Sequence, residues 1–305
     1  MRTTIHVPAT TANLGPGFDC LGLALDLWNE FEFTLIPGEN GQAIEIRGFG
    51  ETLLPGDRAN LVLRAFNHMF ERSGTEPPGL RVRAQHGFPI ASGLGSSASA
   101  IAAGVLAAAA FAGAGSHRID PFAVAVEIEG HPDNVSAALA GGLTISLMDG
   151  SRPLTASVPV DGGWCVGVVV PELAITTAAM RRALPDRVPF QDAVFNLGRT
   201  AMVVRAFESG EDALLKSAMQ DRLHQPSRLP LIQGAETALA AAAAAGAAAA
   251  LSGAGPGLIA FSTSPAVVRD AVEGMRAVFE GESIGTWSWQ GGISREGSKQ
   301  VTVTG

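Results

Sequence analysis

The chain has 305 residues, 47% of them hydrophobic and 16% charged, with a formal net charge of −8, which leaves room for two domains of ordinary size and a sizeable core. The acidic balance, with no basic run, argues against a nucleic-acid partner held through its phosphates, and no unbroken run of about 18 bulky apolar residues marks a membrane span. Cys20 and Cys165 are the only cysteines and show no metal-ligand spacing, and residues 1–15 lack the pattern of a secretory signal, so a reducing, cytoplasmic setting is expected.

Residues 3–7 and 25–36 alternate apolar and polar as half-buried strands do, with Phe31, Phe33 and Leu35 on one face, and 44–49 repeat the pattern. Leu61, Leu63, Ala65, Phe66, Met69 and Phe70 recur at helical spacing over 60–72, and 80–84 read as another strand. A helix is predicted over 97–112, closed by Gly113 and Gly115, and another over 121–130 behind Asp120 as N-cap. Strands with helices packed on them make an α+β pattern. Around 147–161 the composition turns to Gly, Pro, Ser and Asp, which puts a domain boundary there and divides the chain into 1–155 and 156–305. The second half opens with a buried-strand pattern at 164–170, followed by helices over 177–184, 191–208 and 211–219. The alanine-rich stretch parses as a helix over 231–245, Gly246 as its terminal glycine, and a short strand at 247–251. The loop SGAGPG (252–257) and a strand at 258–261 follow.

Three polar segments can carry chemistry. In PIASGLGSSAS (Pro89, Ile90, Ala91, Ser92, Gly93, Leu94, Gly95, Ser96, Ser97, Ala98, Ser99) two close glycines let the backbone approach an anion, and the first free N–H groups of the next helix then point at it. The same stretch reads equally as a glycine turn capping a helix. Gly93, Gly95 and Ala98 fit a GxGxxA dinucleotide fingerprint in form, but Pro89 interrupts the approach and a second helix, not a strand, comes next. No GK[ST] occurs, and Lys216 and Lys299 are the only lysines, so a phosphate loop here is lysine-free. PATTANLGPGFDCL (8–21) offers Thr10, Thr11, Asn13 and Asp19 to a small polar ligand, or is a turn-rich hairpin. EIEGHPDNV (127–135) sets acid, imidazole, acid and amide at a helix end, which suits Mg²⁺ and substrate contacts or a solvated terminus.

PATTANLGPGFD, PIASGLGSSAS, EGHPDNV and SGAGPG, in this order and spacing, resemble the GHMP small-molecule kinases, and their wording is similar to that of the homoserine kinase family. TTAAMRRALP (176–185) and HQPSR (224–228) extend the resemblance nearly end to end. It implies a two-domain GHMP kinase fold, with a ribosomal-protein-S5-like ATP-binding domain, a ferredoxin-like C-terminal domain and the active site in the cleft between them. It also implies ATP and Mg²⁺ as cofactors, and phosphorylation of the L-homoserine hydroxyl in threonine biosynthesis, with a homodimer as the expected assembly. On this resemblance residues 89–99 cradle the triphosphate, Ser97 and Glu129 hold Mg²⁺ with Glu127 as the alternative acid, and Asn60 contacts the adenine or simply caps a helix. Asn13 and Asp19 match positions holding the substrate's amino group, Arg181 and Arg228 those binding its carboxylate, and Thr177 and His131 further contacts. Where relatives acting on mevalonate place an aspartate, this chain has Asn134, which cannot take a proton at neutral pH. Catalysis by alignment and charge stabilisation is therefore expected, with Asp133 the neighbouring candidate base. Another alcohol, such as mevalonate, shikimate or a sugar, and a catalytically silent nucleotide-binding regulator are the alternatives. SGAGPG departs from the family's SGSGPT and loses two hydroxyls.

Overall fold

The computed structural model describes residues 1–38, 41–112 and 119–303; the helix stop expected at Gly113 and Gly115 lies outside the described residues. Strands β1 (Arg2–Asn13) and β2 (Gly17–Leu35) form an antiparallel hairpin, and the alternation read in the sequence places Ile5, Val7, Phe31 and Phe33 on one fully buried face. β3 (Gln42–Gly48) lies parallel to β4 (Leu80–His86), which pairs with the second half of β2. The first half of β2 instead pairs with β5 (Leu143–Asp149), so this one long strand serves two branches of the sheet. Helices α1 (Leu61–Ser73), α2 (Ser96–Ala112), α3 (Pro121–Glu129) and α4 (Asp133–Ala140) supply the apolar side chains that cover one face. α2 is nearly all alanine and apolar because the sheet, α1 and α3 leave little of it to solvent.

The boundary expected between 155 and 156 falls inside a strand. Residues Arg152–Val158 form β6, the hairpin partner of β5, so the Gly, Ser and Pro of this stretch mark a hairpin turn and not a linker. The chain's last strand, β11 (Lys299–Val303), also returns to pair with β1, giving a seven-stranded sheet among the described residues.

The second unit contains β7 (Cys165–Pro171), β8 (Ala248–Leu251), β9 (Leu258–Ser262) and β10 (Thr286–Gly292), all antiparallel in the order β10-β7-β9-β8. With α9 (Ala235–Ala244) and α10 (Pro265–Gly281) on one face, this is the β-α-β-β-α-β arrangement of a ferredoxin-like domain. Between β7 and α9 run α5 (Thr177–Arg182), α6 (Phe190–Ser209), α7 (Asp212–Ala218) and the single turn α8 (Gln225–Arg228). Leu23 and Leu25 of β2 belong to the same buried cluster as Val166 and Val168 of β7 and Phe207 of α6, so the two units share one core and fix the cleft between them. No helix among the described residues is long and apolar enough to cross a membrane.

Candidate active site

The glycine loop between β4 and α2 is held by its neighbours. Thr10 N–H donates to Leu94 O at 3.1 Å, Ser252 Oγ to Gly93 O at 2.8 Å, and Gly257 N–H to Ser92 O at 3.1 Å. Both glycines have left-handed φ, 81° at Gly93 and 67° at Gly95. A Cβ at Gly93 would lie 2.2 Å from Ser252 O, and one at Gly95 1.8 Å from Thr10 Oγ1. The opening amides of α2 have no partner within the helix and face a cleft of about 430 Å³. Ile90, Ala91, Ser92, Gly93, Gly95, Ser96 and Ser97 line that cleft. Pro89 does not, and the side chains of Leu94, Ala98 and Ser99 are buried behind the loop, where Ser99 Oγ accepts from Asn29 Nδ2 at 3.1 Å. These four residues support the loop and do not line the site.

Asn60 caps a helix and also borders the cleft. It is the N-cap of α1, its Oδ1 accepting from Val62 N–H at 3.0 Å and its Nδ2 donating to Pro55 O at 2.8 Å, and it borders the cleft beside Leu54, Pro55 and His86.

At the end of α3, Glu129 turns into the cleft, whereas Glu127 turns away to His68 and Arg72 of α1. Ser97 Oγ donates to Glu129 Oε1 at 2.5 Å. Burial pushes the Glu129 carboxyl above its ordinary value, against the lowering pull of Ser97 and His131, and Asp133 raises it further. A poorly solvated carboxylate beside a hydroxyl is a hard-oxygen pair short of positive charge, and these residues fit Mg²⁺.

The helix expected over 121–130 ends at its Gly130 cap, and the polar HPDNV beyond it carries no helical pattern in the sequence. The structure starts α4 there, with Pro132 as N-cap and Asp133 in the first turn, which aims Asn134 at the loop. Thr10 Oγ1 donates to Asn134 Oδ1 at 2.8 Å, and among the described residues the Asn134 Nδ2 hydrogens have no protein acceptor. Asp133 is buried; its Oδ1 lies 2.5 Å from His131 Nδ1 and accepts from Asn134 N–H at 2.7 Å. Burial alone would lower the His131 pKa, but the bond to Asp133 and the charges of Asp133 and Glu129 outweigh it and raise it. Ligand atoms of Asp19, His131 and Asp133 lie within 4.8 Å of one another, a grouping that linear spacing hides.

Across the cleft, Arg181 makes two hydrogen bonds to Asp19, at 3.1 and 3.2 Å. Burial opposes the Arg181 charge, yet Asp19 more than compensates and the guanidinium pKa rises. Arg228 is 1% exposed; burial, then the Arg181 charge, lowers its pKa. Asn13, at a left-handed φ of 71°, donates through Nδ2 to Gly253 O at 2.7 Å and accepts from Asp19 N–H at 3.0 Å, so it shapes the β1–β2 turn that leads to Asp19. Thr177 opens α5 behind its cap Thr176 and lines the cleft, as do Asn13, Asp19, His131, Arg181 and Arg228. Arg182, the neighbour of Arg181, is exposed outside the cleft.

Residues 60–142 match the profile of the GHMP kinases N terminal domain, and 203–281 that of the GHMP kinases C terminal domain. The chain is 39% identical over 275 residues to a homoserine kinase of Crocosphaera subtropica, covering 90% of this chain and 89% of that protein. It is 46% identical over 237 residues to one of Symbiobacterium thermophilum, covering 75% and 73%. The crystal structure of homoserine kinase from Cytophaga hutchinsonii superposes with a TM-score of 0.88 at 28% identity, covering 98% of this chain and 97% of that one. With the motifs converging on one cleft, and identity at this level running through both domains, the chain belongs to the homoserine kinase family of the GHMP kinases.

Proposed function

We propose that this protein transfers the γ-phosphoryl group of ATP to the side-chain hydroxyl of L-homoserine, giving O-phospho-L-homoserine and ADP in threonine biosynthesis, by direct attack without a dedicated base. The observation that carries the reading is Asn134: its carbonyl is engaged by Thr10 while its amide hydrogens face the same cleft as the opening amides of α2. An amide there donates to a transferring phosphoryl group and accepts no proton.

The triphosphate lies against the Gly93–Ser97 backbone, where the α2 amides meet its charge. Asn60 borders the adenine end. Ser97 and Glu129 would hold Mg²⁺, which when bound neutralises charge between the phosphates. The substrate ammonium goes to Asp19 and its carboxylate to Arg181 and Arg228, whose guanidinium forks suit it. Thr177 and His131 complete the pocket. The Asp133 carboxylate is already committed to His131 and to the Asn134 amide, which supports a mechanism without it as base. In a loose transition state the attacking hydroxyl loses its proton late, to the phosphoryl oxygens.

The test is ADP release by the purified protein with Mg-ATP and, separately, homoserine, mevalonate, shikimate and galactose. Turnover is expected with homoserine alone; turnover with another alcohol overturns the substrate, and none at all favours a regulatory nucleotide-binding protein. Asp133→Asn is expected to keep the shape of the pH profile of kcat. A folded Asp133→Asn variant whose turnover no longer varies with pH would defeat the base-free mechanism.

A further inference from the structure

His224 lies at the start of α8 with no exposed surface, between the turn at Gly15 that precedes Asp19 of β2 and the arginine assigned to the substrate carboxylate. Its Nε2 is 2.8 Å from Gly15 O, and its Nδ1 is 3.2 Å from Arg228 Nη1. A carbonyl only accepts and a guanidinium only donates. Nε2 must therefore carry the hydrogen and Nδ1 must be bare, so the two neighbours demand the same neutral tautomer. The Phe18 ring stacks on the imidazole, with centroids 5.2 Å apart and an interplanar angle of 28°.

For the Arg228 guanidinium this is the shortest hydrogen bond among the described residues. Its Nε reaches Met180 O at 3.4 Å, and Nη1 reaches Gly253 O at 3.5 Å. Among the described residues Nη2 has no protein partner, and Arg228 lines the cleft. We propose that His224 is a positioning residue for the substrate: as the Nε2–H tautomer anchored on Gly15, it accepts from Arg228 and sets the plane of the guanidinium that receives the substrate carboxylate. Because Gly15 sits in the turn that leads directly into β2 and so to Asp19, the same ring fixes the spacing between the receptors for the two charges of the amino acid. This rests on the reading of Arg228 as a carboxylate ligand.

Protonating Nδ1 would set two donors and two positive charges face to face across 3.2 Å. The charged groups that bear on the ring are Arg228, Asp221 and Asp19. Asp221 Oδ2 is 3.5 Å from Nε2, but that carboxylate already accepts from the backbone N–H groups of Leu223, His224 and Gln225 and from Asn196 Nδ2. Burial holds the His224 pKa below its ordinary value, which keeps the ring in the state that both neighbours require.

Two substitutions separate the ring's two bonds. His224→Asn places an amide oxygen near the Nδ1 position and keeps an acceptor for Arg228; His224→Gln places its amide near Nε2, keeping the donor to Gly15 and losing that acceptor. In steady-state assays of the full chain, His224→Gln is expected to raise the homoserine KM roughly tenfold or more, the scale of one charged hydrogen bond, with the ATP KM within about twofold. His224→Asn, which gives up the anchor on Gly15 but keeps the acceptor for Arg228, is expected to raise the homoserine KM by a smaller factor, about threefold, with the ATP KM within about twofold. Arg228→Ala serves as the control. If it raises the homoserine KM and His224→Gln does not, His224 does not position the arginine; if neither moves it, the carboxylate assignment itself fails. Equal loss of kcat and both KM values in the Asn and Gln variants would reduce His224 to a structural role and overturn the proposal. Nitrogen NMR of the histidine-labelled wild-type chain reads the tautomer without any substitution: Nε2–H with bare Nδ1 is expected, and Nδ1–H refutes the inference.

Discussion

Asp19→Asn tests how the site selects a zwitterion. In the structure Asp19 and Arg181 satisfy each other through two hydrogen bonds, at 3.1 and 3.2 Å. An amino acid can take over both partners at once, its ammonium replacing Arg181 on Asp19 and its carboxylate replacing Asp19 on Arg181. A ligand with only one of these charges frees one partner and leaves the other unpaired. The side chains of the pair are 38% and 35% exposed, so the pair itself contributes at most about 1 kcal/mol to folding and the variant should remain folded. Loss of a charged hydrogen bond to the ammonium costs about 1.5–3 kcal/mol, which is roughly a 10- to 150-fold fall in kcat/KM for homoserine. The assay compares homoserine with γ-hydroxybutyrate, which lacks the ammonium, and with aminopropanol, which lacks the carboxylate. Wild type should discriminate against both analogues, and Asp19→Asn should narrow the gap between homoserine and γ-hydroxybutyrate in particular. A homoserine kcat/KM within twofold of wild type, or an equal fall for both of these ligands, refutes the exchange.

Glu129→Gln and Ser97→Ala should each raise the Mg²⁺ concentration needed for half-maximal turnover at fixed ATP by about tenfold or more, while Glu127→Gln, which faces His68 and Arg72, should not; a response to Glu127 alone would reverse the assignment. Gly95→Ala forces a Cβ against Thr10 Oγ1 at a left-handed φ of 67°. Backbone strain of about 1–2 kcal/mol plus about 1 kcal/mol for the displaced Thr10–Asn134 bond should appear as a lower urea midpoint and a reduced kcat, and an unchanged kcat would argue against a role for that bond. Burial lowers the pKa of both His86 and His224 below the ordinary 6.5, so the unfolded chain binds more protons than the folded one in the window beneath that value. The stability these neutral rings contribute is present above pH 6.5 and is lost as pH falls through their lower folded values. Because the raised pKa of His131 acts in the opposite sense, the check is a difference: between pH 7.5 and 5 in urea titrations, wild type should lose stability relative to His86→Gln as pH falls, and the same slope in the variant would rule His86 out as a source.

The strands were legible because each has one buried face, and Ile5, Val7, Phe31 and Phe33 alternate accordingly. α4 was hidden because HPDNV is polar and turn-like, and only its packing against β1 and β2 shows that a helix starts there. Glu127 and Glu129 could not be separated because α3 reads PFAVAVEIE, apolar nearly all round, so no periodicity says which face meets the cleft. Two residues apart on a helix they point in nearly opposite directions, and the fold sends Glu129 inward. Arg228 drew attention only through the family resemblance, since guanidinium groups are ordinarily solvated; in the structure it is 1% exposed. His224 gives no local signal beside it, because its acceptor, the Gly15 carbonyl, is 209 residues away in the chain.

The glycine loop carries the sharpest difference between sequence and structure. Read alone, Gly93 and Gly95 suggest a backbone bared so that an anion can approach. In the fold the space a Cβ would need at each is already taken by protein, by Ser252 O at Gly93 and by Thr10 Oγ1 at Gly95. The loop SGAGPG grips its neighbours through Ser252 Oγ to Gly93 O and the backbone bonds of Gly253 and Gly257 to Ala12 and Ser92. The phosphate loop is thus clamped between β1 and a loop of the second domain. Its amides need little rearrangement to meet a triphosphate, and donors fixed in advance are worth more to a transition state than donors that must be gathered. The clamp also ties the loop to substrate recognition, since Thr10 holds Asn134, and Gly253 O is the anchor for Asn13. A substitution at either glycine should therefore disturb both halves of the site, where an independent phosphate loop would raise the ATP KM alone.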